Sequence, residues 1–330
     1  MKKQIFLWAI ALLISNGLAA QQLGQHSQYQ QNPFVLNPAA AGIEPYLDIT
    51  LSYRKQWTGI EGSPQTYYAS ANTSLTKFKK PSYKPASLRI SKPNRYNRYD
   101  PKRKLRHAIG GFIASDEAGA FRQTIGNAGY AIHLPISRTF TWSVGTSVGA
   151  TQILFDRSKV SPEVLEDPIY AAFQGNTNTS TVVDLNFGTW FYNNELYIGY
   201  STAQLLQNEV TLGDAVTGNE RKMHHFLTAG YKLYLTPEIT FTPNFLVRYL
   251  DPLPVSYDIS AKFDYRQRIW GAVSYRQNDA IVGMVGMTIS DMLKFGYAYD
   301  FTTSQLQQYS SGSHEVVLGI MLNKANKITF

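Results

Sequence analysis

Six histidines, His26, His107, His133, His224, His225 and His314, are the obvious candidates for metal binding or proton transfer in this sequence. Only His224 and His225 are adjacent, and neighbours on a strand point to opposite faces, so the pair cannot share one metal. No H-E-x-x-H, EF-hand or P-loop spacing occurs. The sequence contains no cysteine, which removes disulfides, thiol nucleophiles and Cys-based metal sites. No G-x-S-x-G marks a nucleophilic serine. Glu163, Glu166 and Asp167 form an acidic cluster that could supply a carboxylate pair for glycoside chemistry. The same cluster on an outer loop reads more simply as a solvated or cation-bound patch. The expectation is a chain that is not an enzyme, with no cofactor and no catalytic or metal-ligating residues.

The densest chemistry is electrostatic. Residues 77–106 hold twelve Lys and Arg against one acid, Asp100. The whole chain is +8, so without this run and Lys2 and Lys3 the remainder is net acidic. Lys79, Lys80, Lys84, Arg95, Arg98, Lys102, Arg103 and Lys104 make up most of the run. Tyr83, Tyr96 and Tyr99 interleave with them, and Pro81, Pro85, Pro93 and Pro101 keep it irregular. Lys and Arg with Tyr could contact phosphates and stack bases. The flanking elements are those of an exported membrane protein, so no nucleic-acid partner is expected. Two readings remain: a solvated insertion, or an arm that docks an acidic periplasmic partner or an anionic cell-wall polymer.

The surrounding elements are strands. Lys2 and Lys3, an apolar stretch over 5–14, and small residues at Gly17-Leu18-Ala19-Ala20 predict a signal peptide over 1–20, so the mature protein leaves the cytoplasm. Mean hydropathy is −0.24 and no apolar run reaches 18 residues, which excludes a helical membrane protein. From Tyr46 onward a period of two dominates. Leu47, Ile49, Leu51, Tyr53 and Trp57 fall on one face; Asp48, Thr50, Ser52, Arg54 and Gln56 fall on the other. Equally long alternating runs recur around Trp142, Phe187, Leu227, Ile259 and Tyr297. Such strands match the roughly 9–11 residues a tilted strand needs to cross a bilayer. Their second faces are rich in Gly, Ser, Thr and Asp, which an oily soluble core would not tolerate. With 22 Tyr, 17 Phe and 5 Trp the chain can also furnish two aromatic girdles.

Fourteen strands are predicted, over 46–57, 65–76, 105–115, 121–134, 139–152, 180–192, 195–206, 224–235, 238–250, 255–265, 268–277, 280–289, 292–301 and 314–322. The fold class is all-β: a transmembrane antiparallel up-and-down β-barrel of about 14 strands in the outer membrane of a Gram-negative bacterium. Its organisation is a signal peptide over 1–20, a periplasmic lead-in and possible lumen plug over 21–45, and the barrel over 46–330. Tight turns at 193–194, 236–237, 266–267 and 290–291 fall at every second connection and are placed in the periplasm, where turns are short. The longer loops 153–179, 207–223 and 302–313 then face outward. The basic segment 77–104 is the exception, a long connection on the periplasmic side. Within 163–173 lies the only short helix candidate.

The words NPAAAG at 37–42, RKQWTGI at 54–60 and SPQT at 63–66 resemble the PorP/SprF family of type IX secretion system outer-membrane proteins. ASDEAG at 114–119, VVDLNFGTWFYNNELYIGYS at 182–201, HHFLTAGYK at 224–232 and SYRQNDAIVGMVGM at 274–287 extend the resemblance, as does 293–319. The ordered set is specific where single words are weak. The resemblance implies a barrel that helps cargo adhesins with the system's C-terminal signal reach or stay on the cell surface. It implies association with gliding machinery and with periplasmic peptidoglycan-associated proteins, and brings no catalytic residues. The family pattern has a short link near 77–104, so the basic insertion is a departure. Candidate partner or lumen residues are Arg54, Lys55, Gln56, Trp57, Gly59, Pro64 and Gln65, with Arg54 and Gln56 inward and Lys55 toward the outer-membrane lipid. Phe34-Val35-Leu36 is too apolar to hang in water, and the lead-in is expected to fold into the lumen. A passive porin is the rival reading.

Overall fold

Alternation decides the architecture. The computed structural model describes residues 24–75, 105–160, 177–212 and 216–322. In chain order the strands are β1 (Leu47–Lys55), β2 (Gln65–Ser74), β3 (Arg106–Ala118), β4 (Phe121–Pro135), β5 (Thr141–Asp156), β6 (Thr177–Tyr192), β7 (Leu196–Ala203), β8 (Glu209–Leu212) and β9 (Val216–Glu220). They continue with β10 (His224–Tyr231), β11 (Leu233–Tyr234), β12 (Ile239–Leu250), β13 (Ser256–Tyr265), β14 (Ile269–Arg276), β15 (Ala280–Thr288), β16 (Leu293–Thr302) and β17 (Ser313–Leu322). β10 and β11 form one barrel strand interrupted at Lys232, and β8–β9 is a separate hairpin. Each of the fourteen barrel strands pairs antiparallel with its neighbours in the chain, and β1 closes on β17 from Leu47↔Leu322 to Lys55↔His314. Closure removes the sheet edges that lipid could not satisfy.

The burial pattern is that of a barrel in lipid, not of a soluble sandwich. On β1, Asp48, Thr50, Ser52 and Arg54 are buried while Leu51 and Tyr53 are exposed. Ile113, Val148, Val183, Ile259, Val273 and Val285 form an outward apolar band around the ring. Aromatic pairs flank it. Phe140 stacks on Phe191 at 4.8 Å and Phe241 on Phe263 at 4.7 Å near the tight turns. Tyr53 lies 4.8 Å from Tyr67 at the other rim, where Tyr200 and Tyr297 each bond a histidine, His225 and His314, at 2.9 and 2.8 Å. These rows are interfacial girdles, with apolar rings toward the hydrocarbon and hydroxyls toward the head groups.

Several boundaries differ from the sequence reading. β1 stops at Lys55 because the chain turns: Gln56 N donates to Pro64 O at 2.9 Å and Trp57 N to Ser313 Oγ at 3.1 Å. Trp57 sits at φ +46°, in the left-handed region, so it belongs to this turn and not to the strand's outward face. β5 and β6 run for 16 residues each, well past the expected 139–152 and 180–192, and stand above the eight-residue β7 and β14. Loop 207–223 contains the β8–β9 hairpin, whose Val210 packs on Phe155 and Val182 of the taller strands. Loop 302–313 holds a 3-10 turn at Gln305–Gln308. The tight turn at 266–267 places Arg266 and Gln267 at φ +51° and +55°, the backbone that a two-residue hairpin turn requires. The signal peptide, the basic loop 77–104 and the helix candidate at 163–173 with Glu163, Glu166 and Asp167 lie outside the described residues.

Candidate functional site

The lumen is occupied by the chain's own lead-in. Residues 24–46 run inside the ring as three 3-10 turns, Tyr29–Gln31, Pro33–Val35 and Pro38–Ala40. Two of the turns begin at a proline, which fixes φ and lacks the donor that a turn start would leave unpaired. Asn37 caps the third through its side-chain oxygen, which accepts from Ala39 N at 2.9 Å. Phe34, Ala39, Ala40 and Ala41 are buried against Ala108, Ala131 and Trp190 of the wall. Wall glycines allow the close approach. A Cβ at Gly145 would come within 2.6 Å of the Pro38–Ala39 backbone, and one at Gly188 within 2.0 Å of Asn37 Oδ1.

From Tyr29 onward, hydrogen bonds tie this segment to six strands. Asn37 Nδ2 donates to the carbonyls of Thr189 (3.1 Å) and Tyr200 (3.0 Å). Ser143 Oγ donates to Ala39 O and His133 Nε2 to Ala41 O, each at 2.7 Å. Asn32 Nδ2 bonds Ser70 Oγ at 2.7 Å, Gly42 N bonds Asn72 Oδ1 at 2.9 Å, and Tyr29 Oη bonds Asn244 Oδ1 at 3.0 Å. Gly24 lies beside Thr66 and Asp116 at the long-loop end, while Tyr46 leads into β1 at the tight-turn end. The segment therefore threads the length of the lumen.

Its first residues are held by a buried ionic cluster. Glu315 accepts the backbone N–H groups of Ser27 (2.7 Å) and Gln28 (3.0 Å). Arg54 bonds Asp300 at 2.8 Å, Glu315 at 3.2 Å and Ser27 Oγ at 2.5 Å. Arg276 reaches Asp300 and Asp279 at 3.1 Å and Ser27 Oγ at 3.0 Å. Asp258 joins Arg276 (3.5 Å) to Arg248 (2.6 Å). Arg54, Arg276, Asp258, Asp300 and Glu315 are each at most 2% exposed. Charges so far from water persist only because guanidinium forks and carboxylates satisfy one another.

Of the residues singled out from sequence, the structure brings Arg54 alone into this cluster. Lys55 points outward, in register with His314 and Gln65. Gln56, Trp57, Gly59 (φ +102°) and Pro64 build the surface turn between β1 and β2, and Gln65 opens β2. Lys79, Lys80, Lys84, Arg95, Arg98, Lys102, Arg103 and Lys104 lie outside the described residues. Sequence reasoning missed Ser27, Asp258, Arg276, Asp300 and Glu315. A charged residue on the inward face of an alternating strand was the available signal, and Asp258 and Asp300 both carried it.

The family model of the type IX secretion system membrane protein PorP/SprF matches residues 18–320. This chain belongs to the PorP/SprF family. It is thus an outer-membrane barrel of type IX secretion. No curated protein matches the sequence. Among solved structures, the toluene transporter TbuX of Ralstonia pickettii is similar at 9% identity and TM-score 0.47, over 88% of this chain and 92% of that one. The translocator domain of the autotransporter NalP from Neisseria meningitidis is similar at 9% identity and TM-score 0.41, over 97% and 96%. The Pseudomonas putida toluene transporter TodX shows 8% identity and TM-score 0.44, over 88% and 92%.

Proposed function

We propose that this PorP/SprF barrel is a non-enzymatic interaction and anchoring component of type IX secretion. It helps a secreted surface adhesin of the gliding type, carrying the system's C-terminal signal, to leave or stay on the cell, and it docks a peptidoglycan-associated protein at its periplasmic side. The filled lumen carries this reading. A barrel stoppered by its own chain works at its two faces. The adhesin would meet the tall β5–β6 rim, the β8–β9 hairpin and the 302–313 loop. The basic segment 77–104 supports an acidic partner on the inner side through its charge and its place in the strand order.

Affinity purification from native membranes followed by mass spectrometry tests the proposal. The expected result is recovery of an adhesin, other secretion components and a cell-wall-bound protein; recovery of none of them would remove it. Deleting residues 80–102 should abolish capture of the periplasmic partner while leaving a folded barrel. If both pull-down and secretion survive that deletion, the docking arm is wrong. A passive pore is the second reading, favoured by a cavity of about 680 Å³ at the tight-turn end of the lumen.

A further inference from the structure

Two basic side chains stand side by side on the lipid face at the long-loop end. Lys55 closes β1 in register with His314 on β17 and with Gln65 on β2. Their chain neighbours Arg54 and Glu315 are buried in the lumen, so alternation turns Lys55 and His314 outward. Residues directly opposite on antiparallel strands hold their Cβ atoms about 5 Å apart. Lys55 forms no ion pair among the described residues. The acid of its row, Glu117, lies in register with Gln65, and Arg122 holds it at 2.6 Å. The imidazole is fixed in place. Tyr297 Oη lies 2.8 Å from His314 Nδ1, and the Tyr299 ring packs edgewise on the imidazole with centroids 5.0 Å apart. With the phenol donating, the ring hydrogen sits on Nε2, which bonds no described residue.

Beneath this pair the surface changes in steps. Tyr53 and Tyr67 form an aromatic step, and Leu51, Val316 and Leu318 continue it as exposed aliphatic surface. Tyr53 is in register with Val316 and Leu51 with Leu318, so these side chains share one strip down the β1–β17 seam. We propose that Lys55 and His314 bind the phosphate of a membrane lipid whose acyl chains run down this strip. An ammonium at the edge of the hydrocarbon needs a counter-ion, and lysine binds phosphate as a point charge. His314 Nε2 adds a second, rigid donor beside the flexible first. A lysine that merely snorkels toward passing head groups has no use for a fixed imidazole across the strand pair. A neutral head group would leave the ammonium without a counter-charge, and a phosphate without chains would leave the aliphatic strip bare. This site is independent of the adhesin-anchoring reading, and either can fail alone.

Native mass spectrometry of the full barrel, released from detergent after incubation with one lipid at a time, tests the proposal. The probes are diphosphoryl lipid A, phosphatidylglycerol and, as the phosphate-free comparison, diacylglycerol. At least one phosphate lipid should give a one-to-one adduct that diacylglycerol does not. Lys55→Ala should reduce that adduct about tenfold and His314→Gln severalfold, whereas Lys55→Arg should retain most of it. Lys159→Ala, in the turn after β5, should leave it unchanged. Heat-dependent gel mobility reports whether each variant is folded, and His314→Gln decides the matter if Lys55→Ala is not. Lipid A as the stronger ligand makes the source an outer-leaflet glycolipid, and phosphatidylglycerol makes it a phospholipid; either supports the site. No one-to-one adduct, an adduct indifferent to both Lys55→Ala and His314→Gln, or an equal adduct of diacylglycerol would each overturn it.

Discussion

Replacing Arg54 by alanine should destabilise the folded barrel by about 3–5 kcal/mol, the usual cost of removing one partner from a buried ion pair. Arg54 bonds Asp300, Glu315 and Ser27 Oγ, and none of these groups can reach water instead. Without it, Glu315 is left beside Asp300 with no guanidinium of its own. Glu315 also accepts the backbone N–H groups of Ser27 and Gln28, so the outer end of the lead-in should loosen as well. Urea titration of the barrel in micelles, followed by heat-dependent gel mobility, measures the loss as a lower midpoint at unchanged slope. Arg54→Lys should recover only part of it, because an ammonium cannot span two carboxylates as a guanidinium fork does. Arg54→Leu with Glu315→Leu should cost less than Arg54→Ala alone, since no orphaned charge remains at that pair. A loss below about 1 kcal/mol in Arg54→Ala would show that the cluster is not what holds the segment.

Removing residues 24–42 should convert a closed barrel into a conducting one. The wall beneath the segment is polar: Thr50, Ser52, Ser70, Ser143 and Ser260 all face inward. A lumen so lined fills with water once the alanines and Phe34 leave. In planar bilayers the intact protein should be silent or nearly so, and the deletion should raise single-channel conductance by about tenfold or more. Gly145→Leu is the milder version, because a side chain there collides with the Pro38–Ala39 backbone. It should open the lumen partially and intermittently. An intact barrel that conducts as well as the deletion would favour the passive pore over the anchoring component.

The strand count, the direction of the strands and the sorting of faces were legible without coordinates. Leu51 and Tyr53 outward with Asp48 and Arg54 inward is a period of two, and that period is local, whatever the strand pairs with. The tight turns at 193–194 and 266–267 were legible for the same reason. The heights of β5 and β6 were not, because neither extension alternates: Ile153-Leu154-Phe155 is wholly apolar and 177–179 wholly polar. Trp57 was misplaced onto the strand because its aromatic character matched the period, whereas the turn around Gly59 and Pro64 sets its backbone.

Arg54 could be picked out as a lumen residue from one strand alone, but its purpose could not. Its partners Asp300 and Glu315 are 246 and 261 residues away in the chain and arrive beside it only when β1 pairs with β17. The apolar character of Phe34-Val35-Leu36 indicated that the lead-in needs cover. Its path depends on glycines and alanines contributed by different strands, none of which differs in sequence from a residue facing open water. An outer-membrane barrel of fourteen strands follows from local pattern, because side-chain alternation and strand length are properties of each segment alone. What fills that barrel and which ions pair inside it do not, because those contacts exist only between strands that closure brings together.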